Sequence, residues 1–130
     1  MKLLVDTHTF LWLMESPEKL SVRASDECSD PMNSLYLSAA SLWEIQIKSQ
    51  LGKLDLGMPV SDIVKAEVTN GPFEFLPIAA EHVLAIGDLP THHSDPINRM
   101  LIAQARSENM EFVTADGIMQ QYASLVRIVW

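Results

Sequence analysis

The sequence predicts an α/β protein in which a parallel sheet is covered by helices on both faces. Short apolar segments bounded by turn residues indicate buried strands, and longer segments with helical periodicity lie between them. The two kinds of segment alternate along the chain, which favours parallel pairing through helical crossovers. The length of 130 residues suits one domain, residues 1–130, and such a domain can bury its own core.

Five apolar segments are predicted as strands. "KLLV" and "MEFVT" have the length of buried strands, and "SLYLS" sets Tyr36 between leucines, a combination that suits a pleated surface. "FEFLPI" is a short strand, and "VRIVW" is expected at the edge of the sheet. In chain order, the predicted strands cover residues 2–5, 34–38, 73–78, 110–114 and 126–130.

Seven helices are predicted between the strands, and turn residues mark several of their ends. Ser21 suits an N-cap. Gly52 and Gly71 each end a helix, and Gly87 with Pro90 stops another. The predicted helices cover residues 7–14, 21–29, 38–53, 59–71, 79–90, 95–109 and 116–123.

Composition excludes several classes of protein. The formal net charge of −8 argues against a general nucleic-acid coat protein, because such affinity comes from Lys and Arg on phosphates. An acidic protein can still act on nucleic acid when cations bridge the two. Cys28 is the only cysteine, so no intrachain disulfide forms, and the first residues contain neither a secretory signal nor a membrane span. A cytoplasmic protein without membrane contact is therefore expected.

Four carboxylates come from four separate segments, and each follows a strand or opens a helix. Asp6 ends the first strand, and Asp116 lies just beyond the fourth; ligands of open α/β sheets collect at such strand ends. Glu44 lies in a helix among apolar neighbours, and Asp95 opens the helix over 95–109. If the first and fourth strands are neighbours, Asp6 and Asp116 point into one crevice.

Each of these acids also has a purely structural interpretation. Asp6 and Asp116 are suitable helix caps or turn residues. Glu44 can pair with Lys48 four residues later. Asp95 before a proline is a typical helix start. Taken together, however, clustered carboxylates repel each other and are best tolerated around hard cations such as Mg²⁺ or Mn²⁺. Such ions activate water against phosphodiesters, so the set indicates phosphodiester hydrolysis.

The sequence also resembles a known family. "LLVDTHTFLW", "LSAASLWEIQIKSQLGKLDL", "LPTHHSDPINRMLIAQA" and "FVTAD" resemble the PIN-domain ribonucleases, and in particular the VapC toxins of bacterial toxin–antitoxin pairs. The resemblance runs over nearly the whole chain. It implies a three-layer α/β/α fold around a parallel sheet of about five strands. It also implies Mg²⁺- or Mn²⁺-dependent endonucleolytic cleavage of RNA that leaves a 3′-hydroxyl and a 5′-phosphate.

The resemblance assigns roles to the acids with one departure. The family's first, second and last acids fall on Asp6, Glu44 and Asp116. In the pattern "D-P-hydrophobic-D-R", the first Asp falls on Asp95 and the second, which lines the metal site, falls on Asn98. An amide offers a metal one carbonyl oxygen and no charge, so an attenuated nuclease is one hypothesis. The alternative is that Asn98 only supports the start of its helix.

Residues beside the acids are candidates for supporting roles at the site. Thr7 and Thr114 flank acids and are candidate hydrogen-bond partners for them. Ser38 is expected to cap the helix of Glu44 or to orient a water. Arg99 is a candidate for substrate phosphate, with an ordinary surface role as the alternative. The pair "HH" before Asp95, His92 and His93, is assigned to a loop, and His8 is interpreted as an ordinary helix residue.

The resemblance implies two protein partners besides the RNA substrate. One is a cognate VapB-like antitoxin whose basic segment fills the acidic crevice, which the charge of −8 suits. The other is a second copy of the chain. Trp12, Trp43 and Trp130 are candidate anchors, with a place in the core as the alternative.

The same residues argue against two other enzyme functions. A phosphatase with an aspartyl intermediate needs a second Asp two residues after Asp6, where this chain has His8. A phosphoacceptor receiver domain needs a late lysine, and none follows Lys65. The rival that remains is a catalytically silent PIN fold that acts only by binding a partner, an interpretation that Asn98 keeps open.

Overall fold

The structure, a computed structural model, describes all 130 residues and contains the parallel sheet that the sequence predicts. All four neighbouring pairs of strands run parallel, and the order across the sheet is β3-β2-β1-β4-β5. The last strand is an edge strand, as expected. The strands are β1 Lys2–Val5, β2 Ser34–Ser38, β3 Phe73–Leu76, β4 Glu111–Val113 and β5 Ile128–Val129.

Six α-helices and several short turns of other helix types connect the strands. None of the helices is long and apolar enough to cross a membrane. The α-helices are α1 Thr7–Glu15, α2 Val22–Ser29, α3 Ala39–Gln50, α4 Val60–Val64, α5 Ala80–Ala85 and α6 Pro96–Ser107. Shorter 3₁₀ turns cover Pro17–Lys19, Ile86–Asp88 and Gly117–Tyr122.

The sheet separates two apolar cores, which gives the three layers. Leu4 of β1 packs on one face with Leu101 and Ile102 of α6. Its neighbours Leu3 and Val5 point to the opposite face, where one of their partners is Phe10 of α1. All are fully buried, and each such side chain contributes about 1.5–3 kcal/mol relative to an exposed one. This alternation explains why Leu3, Leu4 and Val5 of β1 are all apolar: both faces of the strand are covered there.

Three predicted helices are shorter or less regular than expected. The helix predicted over 59–71 is α4 followed by a wide π-helical turn, Lys65–Thr69. Gly71 closes that turn so tightly that a Cβ would lie 2.4 Å from the Ala66 carbonyl oxygen. The helix over 79–90 continues from α5 only as a 3₁₀ turn, and the one over 116–123 is wholly 3₁₀. Periodicity alone does not separate such tight or wide turns from α-helix.

The order of the strands fixes the position of the crevice. From β1 the chain builds β2 and β3 on one side of the sheet, and then returns to build β4 and β5 on the other. The strand order therefore reverses between β1 and β4, where Val5 pairs with Val113. Ligands of open α/β sheets bind at such a reversal, beyond the carboxyl ends of the strands. The residues that follow these two strands therefore line this crevice.

Candidate metal site

Asp6 and Asp116 lie together at this reversal, because β1 and β4 are neighbours. They line one open pocket of about 300 Å³ with His8, Trp12 and Ala115. The two acids therefore share one crevice, as expected if the first and fourth strands are neighbours. Asp6 is 5% exposed, whereas Asp116 is partly exposed.

The Asp6 carboxylate is held by hydrogen bonds to both of its oxygens. Oδ1 accepts the backbone N–H of Thr9 at 2.7 Å, so Asp6 caps α1. Oδ2 accepts the hydroxyl of Thr114 at 2.5 Å, and that hydroxyl in turn accepts the backbone N–H of Asp116 at 3.1 Å. Thr114 thus connects the two acids. The structural and functional interpretations of Asp6 are compatible, because each carboxylate oxygen has two acceptor positions.

Asp116 is fixed in a similar way, with a histidine as its second partner. Its Oδ1 accepts the backbone N–H of Ile118 at 3.0 Å and so caps the 3₁₀ turn. Its Oδ2 lies 2.9 Å from Nε2 of His93. Nδ1 of the same ring accepts the backbone N–H of Asp95 at 3.0 Å. Because that N–H can only donate, Nδ1 is unprotonated and the neutral ring carries its hydrogen on Nε2, which donates to Asp116.

Asp95 and Asn98 lie on the other side of His93. Asp95 caps α6, since its Oδ1 accepts the N–H groups of Ile97 and Asn98 at 2.8 and 3.2 Å. Nδ2 of Asn98 lies 3.3 Å from His93 Nε2. Because Nε2 donates its hydrogen to Asp116, two donors would face each other here, and rotation of the amide by 180° places its oxygen against Nε2. Asn98 therefore borders the imidazole nitrogen that contacts Asp116, and it also sits in the first turn of α6.

Glu44 lies on α3 and is paired with Lys48. Its Oε2 accepts the ammonium group at 2.9 Å, and the Glu44 side chain is 16% exposed. One turn earlier on α3, Ser41 accepts the Thr7 hydroxyl at 3.0 Å, which joins α3 to the residue after Asp6. Thr7 was expected to contact an acid; its hydroxyl instead bonds Ser41, because α1 turns that side chain towards α3.

The structure distinguishes the alternatives given for Ser38 and Arg99. The Ser38 hydroxyl accepts the Ala40 N–H at 3.0 Å and so caps α3, and it is also bonded to Gln104, away from the acids. Arg99 donates to the backbone carbonyls of Ile86, Pro90 and His93 at 3.2–3.3 Å. These contacts hold the loop before α6. They favour a structural role for Arg99 over contact with a phosphate.

His93 is the residue whose role the sequence does not reveal. It lies in the predicted loop, but the loop is fastened, because the His93 N–H donates to the Tyr122 hydroxyl and that hydroxyl donates to Pro90 O, both at 2.9 Å. The neighbouring His92 stacks edge-on against Tyr122 instead, with ring centroids 5.2 Å apart. The signal available in the sequence was the position of His93 two residues before an N-cap, within reach of the Asp95 N–H.

The oxygen donors of the crevice fit a hydrated divalent ion. Mg²⁺ keeps several waters and typically takes one or two protein carboxylates, which the pocket of Asp6 and Asp116 can provide with room for water. Three ligand atoms within 4.8 Å of one another occur elsewhere, at Glu81, His82 and Glu108. There both ring nitrogens of the buried His82 are engaged, with Ala79 N and Glu108. The oxygen donors at the strand ends fit a hydrated hard cation better.

The protein is therefore of the α/β class, with carboxylates where the strand order of its parallel sheet reverses. The model of the PIN domain family matches residues 3–125, and the chain belongs to that family, whose members are nucleases. No curated protein sequence is detectably similar to the chain.

Chains of solved VapBC and other toxin–antitoxin complexes have the same fold as this chain. A chain of VapBC2 from Rickettsia felis, solved with a DNA fragment from their promoter, is 15% identical over 100% of both chains, with a TM-score of 0.71. VapBC-1 from nontypeable Haemophilus influenzae is 18% identical over 98% of this chain and 96% of that one, with a TM-score of 0.68. A toxin–antitoxin complex from Klebsiella pneumoniae is 14% identical over 98% and 95%, with a TM-score of 0.61.

Proposed function

We propose that the protein is a VapC-like toxin that cleaves RNA as a metal-dependent endoribonuclease. The observation that carries this proposal is the shared pocket of Asp6 and Asp116 at the strand reversal of a PIN-domain chain. The two carboxylates follow neighbouring strands, and separate hydrogen bonds hold them in the same pocket. Mutually repelling groups held in this way suit a cation site.

Asp6 and Asp116 are the proposed main ligands of Mg²⁺ or Mn²⁺, and Glu44 and Asn98 complete the site. When bound, such an ion supplies a water nucleophile at neutral pH and compensates the charge of the phosphodiester. Glu44 does not line the pocket of Asp6 and Asp116 and is paired with Lys48 at 2.9 Å, so it would have to exchange this partner to contribute to an ion. Asp95 takes part only by capping α6 and by presenting its N–H to His93.

Thr114 and His93 are the proposed positioning residues. The Thr114 hydroxyl orients Asp6 through Oδ2, and the Nε2 hydrogen of His93 orients Asp116 through its Oδ2. The Asp95 N–H fixes which ring nitrogen carries that hydrogen. Partners of this kind hold ligands in orientation and affect metal affinity by about 10–100-fold when they are removed.

Asn98 weakens the proposed site without changing its position. Where the family has a carboxylate, this chain has a neutral amide next to His93. The site therefore carries one negative charge fewer, and its affinity for divalent ions is correspondingly lower. We propose reduced, not abolished, cleavage.

We further propose a VapB-like antitoxin as the partner, since similar solved structures are VapBC and other toxin–antitoxin complexes. A basic segment would meet the acidic crevice, and an apolar groove of about 590 Å³ between α3 and α4 offers a second surface. Trp43, at 61% exposed, lines that groove, whereas Trp12 and Trp130 are half-buried. Homodimerisation remains a prediction.

The test is cleavage of single-stranded RNA in Mg²⁺ and in Mn²⁺, with Asp6→Asn as the inactive variant. We expect fragments with a 3′-hydroxyl and a 5′-phosphate, formed by the wild type and suppressed by EDTA or by Asp6→Asn. Asp26→Asn is the matched control. Asp26 is exposed on α2, and its replacement makes the same change of charge away from the crevice. Cleavage that survives both EDTA and Asp6→Asn would come from another enzyme and contradict the proposal. Folded wild type that cleaves no RNA would favour the silent binding module.

A further inference from the structure

A second pocket adjoins the candidate metal site. Its volume is about 340 Å³, and it shares His8 and Trp12 with the pocket of Asp6 and Asp116. These two residues, one helical turn apart on α1, thus form the wall between the pockets. A ligand at the strand ends can continue across this wall into the second pocket.

The second pocket gathers much of the positive charge of an acidic chain. Lys19, Lys48 and Lys53 line it, and they are three of only five lysines in the protein. Lys48 is engaged with Glu44, whereas Lys19 and Lys53 are exposed and take part in none of the four ion pairs. Glu15 is the only acid in the lining. Two unpaired ammonium groups beside one carboxylate make this a positive patch on a protein of net charge −8.

Aromatic rings lead from the acids towards the lysines. The rings of His8 and Trp12 lie 6.0 Å apart between centroids with planes tilted by 46°. Trp12 in turn lies 5.8 Å from Trp130 at 51°. Trp12 thus packs between Trp130 and His8, and His8 is exposed at the wall between the two pockets. An exposed ring at this position is available to stack on a planar group.

We propose that His8, Trp12, Lys19 and Lys53 form a subsite for the single-stranded RNA that flanks the scissile phosphate. A base stacks on the exposed His8 ring, which Trp12 supports, and a neighbouring phosphate binds the two free lysines. This inference rests on the nuclease function proposed above. It assigns to this pocket the RNA next to the cleavage site, which would be held by stacking and by charge. The acids beside the pocket would hold the ion.

Two physical requirements favour RNA as the ligand of this subsite. Proteins that bind single strands combine aromatic stacking with a basic track for the backbone, and both are present here side by side. A polyanion is otherwise repelled by the overall charge of the chain, so local cations are needed wherever no metal ion compensates the phosphates. An acidic protein segment would use the lysines but would have no need of the exposed ring.

The first experiment measures binding of a fluorescein-labelled octauridylate RNA by anisotropy, in EDTA and over a range of salt concentrations. We expect Lys19→Gln/Lys53→Gln to weaken binding and to reduce the slope of log K against log salt by about 0.7 for each lysine that contacts a phosphate. Lys19→Gln and Lys53→Gln are also made singly, and their matched control is Lys65→Gln, which removes the same single charge from an exposed residue outside the pocket and should leave the slope unchanged.

The second experiment separates stacking from charge at His8. We expect His8→Ala to weaken octauridylate binding roughly tenfold, and His8→Phe to retain it, because the ring and not the imidazole nitrogen carries the contact. His8 is exposed, so both variants should fold like the wild type, which circular dichroism checks.

The outcomes separate this subsite from the nuclease proposal. Wild type that fails to bind the octamer, or lysine variants no weaker than Lys65→Gln, would overturn the subsite. Cleavage that depends on Asp6 but is unchanged in KM by Lys19→Gln/Lys53→Gln would overturn the subsite alone. Octamer binding that needs both lysines and the ring, in a protein that cleaves nothing, would support the subsite and reject the nuclease.

Discussion

Replacing Asn98 by Asp is the change that most sharply probes the candidate metal site. Position 98 is the third residue of α6, where an acid is also compatible with the helix dipole, so the variant should fold. We expect Asn98→Asp to raise the affinity for Mn²⁺ and to increase RNA cleavage, because it supplies the missing carboxylate.

The size of the effect follows from the distances around His93. Nε2 of this ring lies 3.3 Å from the Asn98 amide and 2.9 Å from Asp116 Oδ2. A carboxylate at position 98 would therefore lie within about 6 Å of Asp116. For a charge separation of about 5 Å in surroundings as polar as water, one added negative charge would stabilise a divalent ion by about 2 kcal/mol.

Calorimetric titration with Mn²⁺ measures this directly. An increase in affinity of roughly thirtyfold corresponds to the estimated free energy. Asn70→Asp is the control, because Asn70 is exposed and outside the crevice, and it adds the same charge. Equal Mn²⁺ affinities of the wild type and Asn98→Asp would refute the assignment of Asn98 to the metal site. An equal gain in Asn70→Asp would show that overall charge, and not the site, is responsible.

Three further predictions concern the surroundings of the site and the thiol. Thr114→Val removes the hydroxyl that donates to the buried Asp6. It should lower the free energy of unfolding, measured by urea titration, by about 1–3 kcal/mol. A loss below about 0.5 kcal/mol, on the order of experimental error, would contradict that contact. Arg99→Ala removes three bonds to loop carbonyls and should likewise lower stability; lost RNA affinity at unchanged stability would instead restore the phosphate-binding interpretation. Burial, with a contribution from the charge of Glu27, raises the pKa of Cys28 to about 11. At pH 8 its alkylation by iodoacetamide should therefore be about a hundredfold slower than that of a free thiol, with a rate that rises until about pH 11; a plateau near pH 9 would contradict this.

The pKa of Cys28 also sets the sign of a dependence of stability on pH. The folded state keeps its proton up to about pH 11, whereas the unfolded thiol loses it near pH 9. The contribution of this thiol to stability is therefore complete below pH 9 and is lost as the pH rises towards 11.

The parallel sheet was predictable because its strands are buried on both faces. β1 and β4 are apolar at successive positions, a pattern that parallel strands covered by helices require. The irregular helical turns were not predictable from periodicity. The π-helical turn depends on the close approach of Gly71 to the Ala66 carbonyl, a tertiary contact that no pattern of apolar residues encodes.

The candidate site was predictable only where position along a strand determines position in space. Asp6 and Asp116 follow from the ends of two strands, provided that these strands are neighbours. The contact of His93 with Asp116 joins residues 23 positions apart and depends on how Arg99 and Tyr122 fasten the loop. Similarly, the lysines of the second pocket come from segments that only folding brings together.

The most direct test of the account is to locate the bound ion. Crystals of the protein soaked in Mn²⁺ give an anomalous difference map that places manganese independently of any assay. We predict a peak in the pocket of Asp6 and Asp116. A peak at Glu81, His82 and Glu108, with none between the two aspartates, would contradict the central claim that the strand-end crevice is the metal site of this PIN domain.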